Sequence, residues 1–309
     1  MSWKRLQRKK AGRMKMGNFR KDYGIDQEIP YEEQLQQAAK LLDNAQMLLI
    51  GAGAGVSAAA GLTYDGERFY KNFQEFIEKY GKIHMRDMYS SGFYPFPTQE
   101  AKWGYWSKHS MINRFLPPAL PLYQKLYEAV KEKDYFVLTT NVDHQFQKAG
   151  FAAERIFATQ GDYGMIQCEK GCHSKIYDAE ELFRRMDRVR KDCLVPSDMV
   201  PKCPVCGGNM MMHLRCDGNF VEDEDWHAAS ERYVNFVQKT AGKSTVLLEL
   251  GVGFNTPGII KYPFWRMTAE NPKAVYVCIN YGAAGCPEEI AGQSICIDGD
   301  IGEVLEQLW

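Results

Sequence analysis

Met47-Leu48-Leu49-Ile50-Gly51-Ala52-Gly53-Ala54-Gly55-Val56-Ser57-Ala58-Ala59-Ala60-Gly61 reads as a buried strand, a glycine turn and the start of an alanine-rich helix. Four consecutive aliphatic residues suit a strand covered on both faces. The small residues after them let backbone N–H groups approach a diphosphate, and a helix N-terminus adds partial positive charge there. Gly51, Ala52, Gly53 and Ser57 are therefore candidate phosphate-side residues. Glycines at such a place equally serve close strand-to-helix packing. The dehydrogenase pattern G-x-G-x-x-G is not met, because Val56 stands where its third glycine belongs. About twenty residues on, where that pattern needs an acid ending a second strand, the chain is already in an aromatic-rich insertion. Hydride transfer is disfavoured on both counts.

Outward from this stretch, further short apolar runs read as buried parallel strands: Tyr135 to Leu138, Ile156 to Ala158, Thr245 to Leu250, Ala274 to Ile279 and Ser294 to Ile297. Helical or irregular sequence separates them, which argues for an α/β fold with a doubly wound, mostly parallel, Rossmann-like sheet. Helical spacing over Tyr31 to Asp43 puts Leu35, Ala38, Ala39 and Leu42 on one face, and Ile301 to Leu308 closes the chain as another helix. Two insertions interrupt the sheet. About 64–121 is rich in Phe, Tyr and Trp and reads as a small helical module, while 168–212 gathers cysteines around a charged helical stretch from Asp178 to Lys191. The expected organisation is a basic extension over 1–25, a nucleotide-binding domain over 26–167 and 213–309, and a zinc-ribbon insertion between its halves.

The chain of 309 residues carries 38 basic and 39 acidic side chains, a net charge of −1, and nothing in that balance suggests a dedicated binder of nucleic acid or of an anionic membrane. No apolar run approaches the roughly 20 residues that span a bilayer, and no signal-peptide core is visible at the start. The expectation is a cytoplasmic protein. Lys4, Arg5, Arg8, Lys9, Lys10, Arg13, Lys15, Arg20 and Lys21 precede the first acid, Asp22, and read as a solvated extension, with an organelle transit peptide or a docking arm as the alternative. Nine cysteines make a poor disulfide framework. Cys168, Cys172, Cys203 and Cys206 instead form two chelating corners thirty residues apart, which suits a tetrahedral structural zinc. With two complete pairs, His173, Cys193 and His213 are not needed as ligands, and Cys216, Cys278, Cys286 and Cys296 read as packed thiols.

Polar residues cluster where strands end, the edge at which open α/β sheets gather ligands. Asn141 and Asp143 follow one strand: the amide both donates and accepts, and the carboxylate offers an anion for a cation or a hydroxyl. Helix capping is the simpler role for both. Gln160 follows the next strand, while Gly251, Gly253 and Asn255 form a turn after another and Asn280 ends the one beyond. Arg215 is a lone cation after the cysteine module, suited to a carboxylate, a phosphate or a surface ion pair. Trp103, Tyr105, Trp106 and His109 read as packed aromatic core rather than channel wall.

The combination of Gly51-Ala-Gly-Ala-Gly-Val-Ser57, Thr139-Thr-Asn-Val-Asp-His-Gln-Phe-Gln-Lys-Ala-Gly150, Thr159-Gln-Gly161, the cysteine pairs and Val277-Cys-Ile-Asn280 resembles the sirtuins from about Gln34 to Leu308. The resemblance implies NAD as co-substrate, with Asn280 on the adenine-side ribose. It also extends the cofactor candidates to Asp65 and Arg68, in a remodelled nicotinamide-side loop, and to Asp300 and Ile301. Sirtuin deacylases place a histidine base where this chain has Gln160, which cannot hold a proton at physiological pH. That exchange, with the segments Asp87 to Phe96 and Arg215 to Asp223, resembles the microbial class M sirtuins. The implied activity is protein mono-ADP-ribosylation, with Asn141, Asp143, Gln160 and Arg215 as catalytic candidates. The implied partners are a lipoyl-bearing carrier protein as acceptor and a macrodomain hydrolase acting on the product. Two readings stand beside it: a weak lysine deacylase in which His144 relays the proton, and an inactive NAD-binding module.

Overall fold

The structure, a computed structural model, describes residues 29–309; the basic extension lies outside the described residues. The chain runs α1 (Tyr31–Asn44), β1 (Met47–Ala52), α2 (Ala54–Ala59), then α3 (Gly66–Tyr80), α4 (Gln99–Ser110) and α5 (Pro121–Val130). It continues with β2 (Tyr135–Thr139), α6 (Gln145–Lys148), β3 (Ile156–Ala158), β4 (Gly161–Cys168), β5 (Tyr177–Asp178), α7 (Glu180–Val189) and β6 (Met210–Leu214). The last part holds α8 (Glu224–Lys239), β7 (Thr245–Leu250), α9 (Lys261–Glu270), β8 (Ala274–Asn280), β9 (Ser294–Asp298) and α10 (Ile301–Leu308). All six strands expected from the apolar runs are present and form one parallel sheet of order β3-β2-β1-β7-β8-β9.

Alternation along each strand divides the core into two layers. Leu48, Ile50, Val137 and Leu248 face α1, α5 and α10, while Leu49, Phe136, Leu138 and Leu247 face Tyr233 of α8 and Phe264 of α9. Connections leave the sheet in opposite directions from β1 and β7, so a crevice opens at the carboxyl ends of these two neighbours. Gly251, at φ +58°, closes its floor: a Cβ there would lie 2.6 Å from Gly55 Cα. The two glycine turns touch, and Gly55 N donates to Gly251 O at 3.0 Å.

A second, antiparallel sheet of order β5-β4-β6 carries the cysteine module. Its mouth depends on Gly161, at φ +98°, whose Cβ would fall 1.9 Å from His213 O. This close approach lets Arg215 N donate to Gln160 O at 3.0 Å, which sets two residues 55 positions apart in sequence side by side.

In the helical module Phe69, Phe73, Phe76 and Tyr105 pack together, and Trp103, Trp106 and His109 are buried with them or against the cysteine module. His109 lies edge-on to Tyr163 at 4.5 Å, and among the described residues neither ring nitrogen has a hydrogen-bond partner. Burial, aided by the Arg68 charge, pushes its pKa down to about 3. The unfolded chain holds a histidine near the ordinary value of about 6.5, so only the unfolded state takes up this proton over the interval between the two. Stability is complete above about pH 6.5 and falls by about 1.4 kcal/mol per unit as the pH drops toward 3. His109→Phe is expected to remove that one-proton slope in urea unfolding between pH 7 and 5. An unaltered slope would show that His109 titrates normally in the folded protein.

Candidate functional site

The crevice is a cleft of about 490 Å³, within the usual range for small-molecule sites. Gly53, Asn141, Gln160, Arg215, Gly251, Gly253, Asn255 and Asn280 line it, brought together from five strand ends and the second sheet. Among the described residues Arg215 is the one charged side chain of the lining, and none of the others is a carboxylate or an imidazole. Such a lining suits a diphosphate, whose anionic oxygens would be repelled by acids and are accepted by backbone N–H groups and a guanidinium.

The other cofactor candidates lie outside this lining. Gly51 and Ala52 belong to β1, and a Cβ on Gly51 would lie 2.4 Å from Ile260 Cγ2, so this glycine serves strand-to-helix packing. Arg68 donates to Thr63 O and Asn113 Oδ1, both at 2.8 Å, and to Ile112 O at 3.1 Å, tying the helical module together. Asp65 is the exposed N-cap of α3, Asp300 caps α10 through Glu303 N, and the Ile301 side chain is in the core.

Behind the wall, Asn141 Nδ2 donates to Gly53 O and Ser57 Oγ, both at 3.0 Å. Ser57 Oγ donates to Asp143 Oδ2 at 2.5 Å, and Gln145 N donates to Asp143 Oδ1 at 3.0 Å. Burial raises the Asp143 carboxyl pKa above the ordinary aspartate value, and these two hydrogen bonds work against the rise. Asp143 therefore supports Asn141 through Ser57 rather than lining the cleft itself. His144 is outside the lining too, with Nδ1 2.6 Å from Asp162 Oδ2. Burial alone would raise the Asp162 pKa, but the His144 bond and the Arg114 charge outweigh it and hold the carboxyl below its usual value.

Gln160 donates through Nε2 to Thr159 Oγ1 at 3.2 Å, and Arg215 pairs with Glu222 at 3.1 Å while its guanidinium stacks 4.0 Å from the Phe220 ring. The ion pair leaves Arg215 at the cleft edge, oriented by an aromatic face.

Four sulfurs converge at the end of the second sheet. Cys168 and Cys206 Sγ are 3.7 Å apart and Cys172 and Cys203 Sγ 3.6 Å apart. A tetrahedron with metal–sulfur bonds of about 2.3 Å has edges of about 3.8 Å, so these residues fit zinc. His173 Nδ1 is also close, 3.0 Å from Cys172 Sγ, and its Nε2 meets Tyr177 OH at 2.9 Å. A proton on Nδ1 satisfies both contacts, the imidazole donating to the thiolate and accepting from the phenol.

No protein-family model matches the chain. A protein ADP-ribosyltransferase of Staphylococcus aureus is 35% identical over 278 residues, which are 89% of this chain and 87% of that protein. The chain belongs to the protein ADP-ribosyltransferases. A probable bifunctional ADP-ribose hydrolase/ADP-ribosyltransferase of Fusarium oxysporum f. sp. cubense is 29% identical over 292 residues. This ADP-ribosyltransferase spans about half of that longer protein, 47% of its length. Its fold is that of the sirtuins: Sir2Tm bound to a propionylated peptide superposes with a TM-score of 0.54 at 16% identity, covering 89% of this chain and 96% of that one. A structure addressing sirtuin substrate affinity gives 0.56 at 17% identity over 88% and 97%.

Among the lining residues of the ADP-ribosyltransferase cleft not singled out by the sequence are three tyrosines, Tyr64, Tyr89 and Tyr163. Tyr163 OH donates to Tyr64 OH at 3.0 Å, and the Tyr64 and Tyr89 rings stack 6.1 Å apart. Tyr64 follows the glycine loop closely, but nothing in its spacing announces that it meets a residue 99 positions on.

Proposed function

We propose that this sirtuin-fold ADP-ribosyltransferase cleaves NAD to nicotinamide and transfers the ADP-ribose to a carboxylate of a protein acceptor, one unit per site. The observation that carries the reading is the composition of the cleft wall, in which Gln160 stands among hydroxyls, amides and one guanidinium and, among the described residues, no side chain able to act as a general base at neutral pH. Nicotinamide leaves a cationic ring as a neutral molecule, so the demand on the protein is to position a nucleophile and favour positive charge on the ribose. A carboxylate attacks C1′ without losing a proton, its oxygen forming the new bond as the bond to the ring nitrogen breaks and takes its electron pair with it. Gln160 then orients ribose hydroxyls, and Arg215 steers the acceptor carboxylate or holds a phosphate.

A groove of about 420 Å³ adjoins the cleft, shares Leu214 with it and is walled by Phe93, Tyr94, Phe96, Trp106 and Met212. It offers the acceptor an approach to Arg215 lined by these rings together with the polar Gln99, Lys102, Glu169 and Asp217. In the class M resemblance that acceptor is a lipoyl-bearing carrier protein, and the aromatic residues of this mixed groove suit the apolar part of such an arm. A macrodomain hydrolase as partner is supported by the Fusarium relative, whose name joins hydrolase and transferase in one chain. A thiol-rich site suited to zinc supports a reducing compartment, the cytoplasm. No described helix is long and apolar enough to cross a membrane.

The linkage distinguishes this acceptor chemistry from others. Protein labelled from NAD is expected to lose the label in neutral hydroxylamine, as an acyl ester does. Label that survives hydroxylamine would rule out a carboxylate acceptor.

A further inference from the structure

Tyr123 stands behind the cleft wall, fully buried near the start of α5, and its phenol has no part in the chemistry above. The oxygen lies 2.8 Å from Ser57 Oγ and 3.3 Å from Asn141 Nδ2. Counting protons settles how this group is ordered. The nitrogen of the Asn141 amide faces Gly53 O, Ser57 Oγ and Tyr123 OH, and of these the backbone carbonyl can only accept. A flipped amide would set two carbonyl oxygens 3.0 Å apart, so the amide nitrogen must point inward. Asp143 accepts at both oxygens, as a carboxylate does, and takes the single Ser57 proton. Ser57 keeps two lone pairs, one for an Asn141 N–H and one for the Tyr123 O–H. The donors therefore run in one direction, from Tyr123 through Ser57 to Asp143, and Oδ1 is the polar atom of Asn141 left for the cleft.

We propose that Tyr123 is a positioning residue that, through Ser57, holds the Asn141 carbonyl oxygen toward the ribose of NAD. Asn141 is then an acceptor, the negative end of a fixed dipole where positive charge develops. The inference rests on the NAD-cleaving reading of the cleft and adds to it which atom of Asn141 works and what holds it. Loss of the phenol leaves Ser57 with one donor fewer and frees its hydroxyl to turn away from Asp143, after which the amide is no longer anchored on that side. Binding of NAD through the glycine turns and Asn280 is untouched, so the loss falls on the transition state.

Tyr123→Phe keeps the ring, which packs edge-on against Phe146 at 4.9 Å. Nicotinamide release by this variant is expected to show kcat lowered by about tenfold with KM for NAD changed by less than about twofold. Ser57→Ala is expected to give a similar kcat loss, and the double variant no further loss, since both cut one chain. Tyr127→Phe, on the same helix, is expected to match the wild type. Unchanged kcat in Tyr123→Phe would overturn the inference, as would additive losses in the double variant or a rise in KM in step with the loss, either of which marks a merely structural tyrosine. If the wild type itself releases no nicotinamide, the NAD-cleaving reading fails first and takes the inference with it.

Discussion

Asn141→Ala is expected to slow nicotinamide release from NAD by at least about 100-fold, or about 2.7 kcal/mol of transition-state stabilisation. The reason is geometric. The amide is held by Gly53 O and Ser57 at 3.0 Å each, so its dipole is fixed before the substrate arrives and costs no reorganisation as the ribose gains charge. Alanine removes that dipole and leaves the Gly53 carbonyl and the Ser57 lone pair without their donor. The two hydrogen bonds lost cost about 1 kcal/mol of stability each, which together move the unfolding midpoint by about 4–8 °C in a chain of this size. Activity and stability should therefore separate: a folded, NAD-binding protein that no longer turns over. A variant that retains more than a tenth of wild-type release would show that Asn141 merely shapes a turn.

The second large effect is expected from metal removal. The core beneath the cysteines, which includes Tyr163, Phe183, Met186, Met210, Met212 and Leu214, is continuous with the strands that present Gln160 and Arg215. Without an ion the cysteines take up protons and nothing ties the two pairs together, and structural zinc sites contribute their binding free energy to folding. If only about 4 kcal/mol of it is lost, the midpoint falls by about 10 °C at the usual 2–4 °C per kcal/mol for larger domains. Purified protein is expected to contain one zinc per chain by elemental analysis. A strong chelator should lower the midpoint by about that much and abolish NAD cleavage in parallel, because β4 and β6 would no longer close at Gly161. Full activity in metal-free protein would contradict this coupling.

The sheet was legible because its strands are runs of aliphatic residues interrupted by helical spacing: Met47 to Ile50 and Thr245 to Leu250 announce themselves, and both are buried throughout. The strand ends were legible for the same reason, since Asn141, Gln160 and Asn280 follow such runs directly. Residues that meet across long sequence separations were not. The second sheet depends on Gly161 passing under His213 O, an approach that no local pattern encodes. The buried pair in which Lys261 donates to Glu249 looks in sequence like two ordinary charges on a strand and a helix. Asp143 and Ser57 lie one layer behind the cleft wall, which was not legible because a motif lists neighbours without saying which of them faces the cleft. Arg68 shows the converse, a cation in the first turn of α3, shortly after the glycine turn, whose hydrogen bonds go to Asn113, Thr63 and Ile112.

The most direct test of ADP-ribosyl transfer is to incubate wild-type and Asn141→Ala protein with adenine-labelled NAD and an extract of the source cell, and to follow label into protein. The wild type is expected to label a discrete acceptor with nicotinamide released in equal amount, and the variant to label nothing. Nicotinamide release that requires an acylated lysine peptide, with the label recovered on a small molecule and none on protein, would contradict the account.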